Sequence, residues 1–302
     1  MAIYTDTNCY VVYGKETVYG TPPTNVDIFI GIPINSSLNM MNNLNSEYGI
    51  GYGRNVQGIW ASLFDVSSTL TYKLTNGAFF EFMLGSKSGS GTTNDPYVYN
   101  ISSLPSFTLE YGFDLSSDQA VRMLGCYVKS ASIKCNVEET VNVDLNIVAK
   151  TASKSNTYQT LTAPSDELFY FTEGVVEINS TPVAEITGIV VNIDNGIQKA
   201  SEIGSRTSTQ YAGNVSITGT LNMRLNDANY IEWLFGSTGG PTSTTPSPKT
   251  DIKLKLTKGS KHIYITLTDV YSNDYKINLA TKQLVTEQIG FSAKNISISE
   301  VV

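Results

Sequence analysis

The sequence of 302 residues has one histidine and three cysteines, and these shortages exclude most catalytic sites. A single histidine cannot form the histidine cluster of a zinc site, and it leaves one possible base for a serine or cysteine nucleophile. That residue, His262, lies on the polar face of the alternating segment KHIYITL, so we interpret it as solvent-exposed. The cysteines lack CxxC spacing, and Cys126 and Cys135 are interpreted as small buried hydrophobic residues. We therefore predict that the protein is not an enzyme and has no catalytic, metal-binding or cofactor-binding residues and no cofactor.

Long apolar runs and an excess of positive charge are also missing. No run approaches the ~20 residues that span a membrane, so we predict no membrane association. The first residues show no basic segment followed by an apolar one, so synthesis in the cytoplasm is expected. The formal net charge of -7 argues against general nucleic-acid binding, because a protein that grips phosphates needs clustered Lys and Arg. The 41% of hydrophobic residues is enough for a buried core.

A short phrase occurs twice in the chain. LTNGAFFEFMLGS at 74–86 and LNDANYIEWLFGS at 225–237 each predict a short helix that ends at a glycine, Gly85 or Gly236. The apolar residues between the ends have the i, i+3, i+4 spacing of one buried helix face. The predicted N-caps are Asn76 and Asp227, and the predicted buried faces are Phe79, Phe82 and Met83 in the first copy and Tyr230, Trp233 and Leu234 in the second.

The remaining sequence is typical of antiparallel β-structure, and the repeat extends through it. LNMMNNL at 38–44 matches VNIDNGI at 191–197, and a linker rich in Gly, Ser, Thr or Pro follows each helix, at 86–98 and at 237–248. We expect both linkers to be exposed loops. Alternation of apolar and polar residues predicts strands at 107–111, 141–148, 252–256 and 262–267.

The length and the repeat together predict two domains of one kind, since a domain has roughly 150 residues. The predicted parts are an N-terminal arm at 1–25, a first domain at 26–150, a connector at 151–179 and a second domain at 180–302.

Four segments carry a resemblance to a known family. They are YGKETVYGTPPT (13–24), GIWASLFDVSSTLTYKL (58–74), the capped helix that ends in MLGS, and GNVSITGTLNMRLNDANYIEWLFGS (213–237). In this order, and duplicated in an all-β setting, they resemble the major tail tube proteins of tailed phages and tailed archaeal viruses. The resemblance implies an all-β chain with two tandem β-sandwich or half-barrel domains, each with a short flanking helix.

The resemblance also implies a function and partners. Tube proteins of this kind are structural virion proteins whose copies pair edge to edge into rings, and the rings stack into a hollow tube for genome delivery. Most single-domain members form sixfold rings, so a duplicated chain predicts a pseudo-sixfold ring of three chains. The implied partners are other copies of the chain, a tape measure protein, a tail terminator and a tail tip or baseplate, with viral DNA passing through unbound. The expected location is the virion tail tube, after synthesis in the host cytoplasm.

Two other functions fit the same residues. One is a two-domain β-sandwich module for receptor or glycan binding, in which exposed Tyr and Trp side chains form the binding platform. The other is the tube protein of a phage-derived injection device. Against the first, Phe82 and Trp233 lie on the apolar helix faces and Trp60 lies in a strand, so we predict that these rings pack in the core.

A difference in charge between the repeats predicts an assembly contact. The alternation around Lys253 and Lys255 projects both ammonium groups from the face opposite to the apolar residues of the strand. We predict that an acidic hairpin of the first domain meets this basic hairpin on a neighbouring domain; a solvated basic face is the alternative. The predicted contact residues are Glu110, Asp114 and Asp118 in the first domain and Lys253, Lys255 and Lys258 in the second.

Overall fold

The computed structural model describes residues 9–115, 119–155, 158–163, 165, 167–225, 230–236, 240–241, 250–279, 281 and 284–302. Within these residues the chain forms nineteen strands and two short helices, so the predicted all-β class is confirmed. Neither helix of this described part is long and apolar enough to cross a membrane. The helices are α1 (Phe80–Leu84) and α2 (Ile231–Phe235). The strands are β1 (Cys9–Lys15), β2 (Ile28–Phe29), β3 (Ile32–Glu47), β4 (Gly58–Lys73), β5 (Gly85–Ser88), β6 (Tyr97–Ile101), β7 (Phe107–Phe113), β8 (Gln119–Asn136), β9 (Asn142–Ala149), β10 (Thr151–Ser155), β11 (Gly174–Ile178), β12 (Thr181–Pro182), β13 (Ile186–Asp194), β14 (Gln198–Ala200), β15 (Thr209–Tyr211), β16 (Ser216–Arg224), β17 (Thr250–Lys258), β18 (Lys261–Asn278) and β19 (Thr286–Val301).

The two halves of the chain follow the same strand order. Neighbouring strands in the N-terminal half run β3-β4-β9-β8-β7-β1, with β2 beside β1. Those in the C-terminal half run β13-β16-β19-β18-β17-β11, with β12 beside β11. All of these pairs are antiparallel. The division into the four predicted parts, and the superposition of the halves as two domains, stay predictions.

The halves meet in one continuous sheet. Residues 130–136 of β8 pair with residues 188–194 of β13, and we call this pairing the junction. A second connection is formed where β6 pairs with β19. The result is a 17-stranded sheet over a shared core, in which Ile133, Val191 and Ile193 are buried at the junction. Because burial of one such side chain contributes roughly 1.5–3 kcal/mol, the junction holds the halves together.

Both helices end as predicted, but the N-cap prediction for the first is wrong. Gly85 and Gly236 adopt left-handed conformations with φ of 117° and 77°. Helix α1 begins at Phe80 with Phe79 in the cap position, and Asn76 instead accepts a hydrogen bond from the N–H of Ala78 at 3.1 Å. The side chain of Asn76 therefore closes a local turn that precedes the helix, and it does not cap the helix itself. Asp227 lies outside the described residues.

The predicted apolar face of α1 is confirmed by its ring contacts. Phe79 and Phe82 are buried and pack edge to face against Tyr13 and Phe107, with Phe79 to Tyr13 at 5.0 Å and Phe82 to Phe107 at 5.1 Å between centroids. Met83 is also buried. The corresponding residues of α2 are only partly buried: Tyr230, Trp233 and Leu234.

The first linker is a hairpin rather than the expected loop. Residues 85–88 and 97–101 pair as β5 and β6, and β6 continues into the sheet beside β19. Tyr99 is buried in this hairpin and donates a hydrogen bond from its hydroxyl to Glu300 at 2.7 Å. The polar composition therefore marks only the exposed turn of the hairpin. Most of the second linker, 237–248, lies outside the described residues.

The burial predicted for two cysteines is confirmed, and it sets their reactivity. Burial raises the pKa of the Cys126 thiol well above its usual range and that of Cys135 to about 11, whereas Cys9 is exposed. Because the thiolate is the reacting species, we expect iodoacetamide at pH 8 to modify only Cys9 in the folded, unassembled protein. Mass spectrometry would count one adduct on the native chain and three in urea. Two or three adducts on the native chain would contradict this expectation.

Candidate assembly surfaces

The YGKETVYG segment is fixed to the sheet by a buried carboxylate. Glu16 accepts hydrogen bonds from the N–H groups of Gly20 at 2.8 Å and Gly125 at 2.9 Å. It also accepts from the hydroxyls of Ser106 at 2.7 Å and Thr108 at 2.8 Å. Four donors satisfy this carboxylate inside the protein, so the segment that follows β1 is held against β7 and β8. The role that these contacts give to the YGKETVYG segment is therefore structural.

Glu110, one of the predicted contact residues, lies in the interior. Its carboxylate accepts hydrogen bonds from the Tyr10 hydroxyl and from the Gln159 side chain, both at 2.6 Å, and it pairs with Arg122. Burial, together with the hydrogen bond to Glu110, raises the pKa of Tyr10 above its usual range. Glu110 thus fastens β1 and the segment around Gln159 to β7. These contacts occupy the carboxylate within its own chain and away from the surface.

Two of the predicted basic residues are also engaged within the chain. Lys255 pairs with Glu177 on β11 at 2.5 Å, and Lys258 lies 3.6 Å from Glu173. Lys255 shares the outer side of β17 with Lys253, since the predicted alternation of this strand is confirmed. The buried residues on its other side are Ile252, Leu254 and Leu256.

The other predicted contact residues have different surroundings. Asp114 is exposed just after the end of β7. The ammonium group of Lys253 lies over the ring of Tyr264, 4.8 Å from its centroid. Asp118 lies outside the described residues. The structure therefore brings no predicted acidic residue together with a predicted basic one inside a single chain, and contact between copies stays a prediction.

The ends of two hairpins carry exposed apolar side chains, and we call these hairpin ends the first arm (41–60) and the second arm (195–211). Trp60 in the first arm is 50% exposed and donates its indole N–H to Glu47 at 3.0 Å. Its predicted place in the core is wrong, because β3 and β4 extend past the part of the sheet that the core covers. Ile50 and Ile203 are fully exposed at the two tips. The other exposed apolar residues of the first arm are Met41, Leu44, Tyr48, Tyr52, Val56 and Ile59.

One face of the continuous sheet is polar and uncovered, and we call it the polar face. A shallow depression of about 610 Å³ on this face is lined mainly by hydroxyl and amide groups of β3, β4, β8 and β9. Lys134 and Asp144 pair on it at 2.6 Å. Partial burial acts to raise the pKa of Asp144, but hydrogen bonds from Lys134 and the Thr71 hydroxyl outweigh it and hold the pKa below its usual value. Lys134 and Asp144 thus neutralise each other on this face.

Two long strands, β3 and β18, each have an open edge in the described chain. β3 pairs only with β4, so its other edge lacks a strand. Residues 271–278 of β18 pair with β19 on one side, and β17 reaches only as far as Val270 on the other. An open edge presents unpaired backbone groups to any strand that can reach it.

A comparison with protein families identifies the family of this chain. A family profile described as phage tail tube protein matches residues 7–293. The chain belongs to the phage tail tube protein family. The tail tube family is structural rather than catalytic, and membership places this tail tube protein among the components that self-assemble in the virion tail. The comparison with curated proteins gives no significant match. Within the described residues, no three His, Cys, Asp or Glu side chains are grouped to hold a metal ion.

Proposed function

We propose that this tail tube protein closes into rings of three chains and that the rings stack into a hollow tube for genome delivery. The observation that carries the proposal is the pair of open edges on β3 and β18. These strands hold the same places in the strand order as β13 and β8, which pair at the junction. A chain whose free edges match its own internal junction can repeat that junction with its neighbours, and repetition by rotation closes a ring.

The polar face is the proposed wall of the channel. Serine, threonine and asparagine side chains dominate it on both sides of the junction, with Ser132 opposite Asn192. Uncharged hydroxyl and amide groups, with Lys134 paired to Asp144, give DNA phosphates no cluster of cations to bind. The net charge of -7 acts in the same direction. DNA can therefore slide along this surface, and the other side of the sheet holds the core.

The two arms are proposed to contact copies in adjacent rings. Ile50, Trp60 and other apolar side chains of the first arm are exposed, and exposed apolar patches often mark protein–protein contacts. The predicted charged contact then lies between Asp114 and Lys253 of different copies, because Glu110 and Lys255 are engaged within the chain. Each such exposed pair contributes only about 0.2–1 kcal/mol, so its main effect is on register.

Electron microscopy of the assembled protein tests the ring. We expect averaged end views with three chains and pseudo-sixfold symmetry, since each chain supplies two sets of strands. Six chains in a ring would refute the threefold arrangement and leave the tube intact. A receptor- or glycan-binding module would form neither rings nor tubes, and a preparation that stays monomeric under all assembly conditions would refute the tube function itself.

Adding positive charge to the polar face should make the tube retain DNA. We expect tubes of the double variant Ser132→Lys and Asn192→Lys to bind duplex DNA at about 50 mM salt and to release most of it at about 200 mM, because lysine–phosphate contacts are lost as counterions compete. Co-sedimentation of labelled DNA with the tubes measures the effect. Tubes of the control Ser132→Gln and Asn192→Gln should bind no more DNA than the unaltered protein, and equal binding by the lysine tubes would show that this face is not in the channel.

A further inference from the structure

We infer that residues 274–279 of one chain pair with β3 of the next chain in a single register, and that Leu279 thereby completes an apolar groove on that next chain. The partner is a second copy of this protein. The inference rests on the proposed function, because it requires copies to meet edge to edge, and it adds the residues that do so.

The register follows from the junction, because each junction strand has a counterpart with the same ladder. Ser130 on β8 pairs with Asn146, and Asp274 on β18 pairs with Gly290, in both cases directly after a register irregularity. These two residue pairs lie at the same spacing of 144 positions, Ser130 to Asp274 and Asn146 to Gly290. Residues of β8 therefore map onto β18 one by one.

The other junction strand maps onto β3 in the same way. Gly188 on β13 pairs with Asn222 directly after an irregularity, and Asn35 on β3 pairs with Thr71 directly after another. Gly188 and Asn35 lie 153 positions apart, so β13 maps onto β3 with this spacing.

Transferring the junction to the open edges gives the contacts between chains. At the junction Ser132 lies opposite Asn192. The counterpart of Ser132 is Lys276, and the counterpart of Asn192 is Asn39. Lys276 of one chain therefore lies opposite Asn39 of the next, and the same shift sets every other pair of this ladder.

The exposure of apolar residues supports the transfer. Ile133 and Cys135 on β8 are buried, whereas their counterparts Ile277 and Leu279 are 41% and 77% exposed. An aliphatic residue exposed at a strand end, at a position that is buried in the equivalent place, indicates a surface that is covered on assembly.

The partner edge shows the same difference. Ile193 on β13 is fully buried at the junction, and its counterpart Met40 on β3 is 46% exposed. Pairing of the two open edges would cover Met40 in the way that β8 covers Ile193. Leu38 and Met40 on β3 thus correspond to the buried residues Val191 and Ile193, whereas Ser36 takes the place of Ile189.

Two equivalent grooves explain the role of Leu279. The C-terminal half has a groove of about 450 Å³ between β11, β13 and β17, and Cys135 at the end of β8 forms part of its wall. The N-terminal half has a groove of about 380 Å³ between the corresponding strands β1, β3 and β7, lined by Cys9, Val11 and Ile34 among others. No residue of β8 or β18 lines that second groove within the described chain. Leu279 of the next chain, the counterpart of Cys135, fills this place.

A disulfide placed across the predicted ladder tests the register. In a Cys9→Ser background, the pair Lys276→Cys and Asn39→Cys should give covalent oligomers under mild oxidation, because opposite residues of antiparallel strands lie about 4.5–5.5 Å apart at Cα, within disulfide range. Non-reducing gels should show bands of the monomer, dimer and trimer and no larger covalent species. Ser132→Cys with Asn192→Cys is the positive control, since this pair spans the junction and should form a bridge inside each chain.

Two shifted pairs serve as matched negative controls. Lys276→Cys combined with Ser37→Cys or with Met41→Cys keeps the same strands but moves the partner by two residues, and we expect little cross-linking. If tubes form by microscopy and a shifted pair links as well as the predicted one, or Lys276→Cys links to itself, the register is overturned while the tube function stands. If the unaltered protein forms neither rings nor tubes, both proposals fail together.

The unaltered protein gives a second, independent measurement. Leu279 of the neighbour should cover Cys9 in the N-terminal groove, so iodoacetamide should modify Cys9 at least about tenfold more slowly in tubes than in monomers. Equal rates in the two forms would overturn the completed groove even if the cysteine variants assembled poorly.

Discussion

Replacing Ile277 and Leu279 with aspartate should abolish ring and tube formation and leave a folded monomer. Both side chains are exposed in the chain, so the fold loses little by the change. At the proposed contact each carboxylate would be buried without a partner, which costs several kcal/mol per group and weakens association by roughly a thousandfold or more. Sedimentation and circular dichroism would measure assembly and folding on the same sample.

Two controls separate an effect on assembly from an effect on folding. Ile133→Asp makes the same change at the buried counterpart within the junction, so it should unfold the chain rather than only dissociate it. Leu284→Asp changes another exposed leucine that lies outside the proposed ladder, and tubes should still form. Normal tubes from the Ile277 and Leu279 double variant would contradict the contact.

The second large effect is expected from Glu16→Ala, which should lower the free energy of unfolding by about 3–5 kcal/mol. The change leaves four buried donors without their acceptor, and it frees the segment that follows β1. Urea unfolding measures the loss as a lower midpoint. The experiment is best done in the Ile277→Asp and Leu279→Asp background, because assembly would otherwise add to the apparent stability.

Two further variants calibrate that measurement. Glu16→Gln keeps one acceptor oxygen and should lose less, about 1–2 kcal/mol. Glu202→Ala removes an exposed glutamate and should change stability by no more than about 0.5 kcal/mol. If Glu16→Ala unfolded at the same urea concentration as Glu202→Ala, the carboxylate would not hold the segment.

Local patterns were sufficient for the class of fold and for the helix ends. Alternation in IKLKL correctly predicted which side of β17 is buried. A glycine after a run of mostly apolar residues correctly predicted the end of each helix. These features depend on neighbours within a few residues along the chain, so the sequence contains their cause.

The same reasoning failed where distant residues decide the environment. Alternation in FTLEY predicts an outward Glu110, yet both faces of β7 are buried. Gln159 and Arg122 cover the polar side, and neither contact can be read from the spacing within β7. Trp60 is the opposite case, since its strand extends beyond the core and leaves an apolar ring exposed.

The candidate assembly surface needed the structure for a related reason. Ile277 and Leu279 look like ordinary strand residues in the sequence. Their significance depends on three facts that only the structure gives. These are which strand has an open edge, where the register irregularities lie, and which residues of the other half are buried.

The junction between β8 and β13 also has a kinetic consequence for the proposed ring. A ring of three chains contains six half-chains joined by six edge-to-edge contacts. Three of these contacts are the junctions inside the chains, which form while each chain folds, at a rate that does not depend on protein concentration. Only the other three contacts require an encounter between molecules. A growing ring therefore gains two half-chains with each molecule that joins it, and incomplete rings with an odd number of half-chains do not occur. Fewer kinds of partial ring can accumulate, and fewer open edges are available for wrong associations during growth.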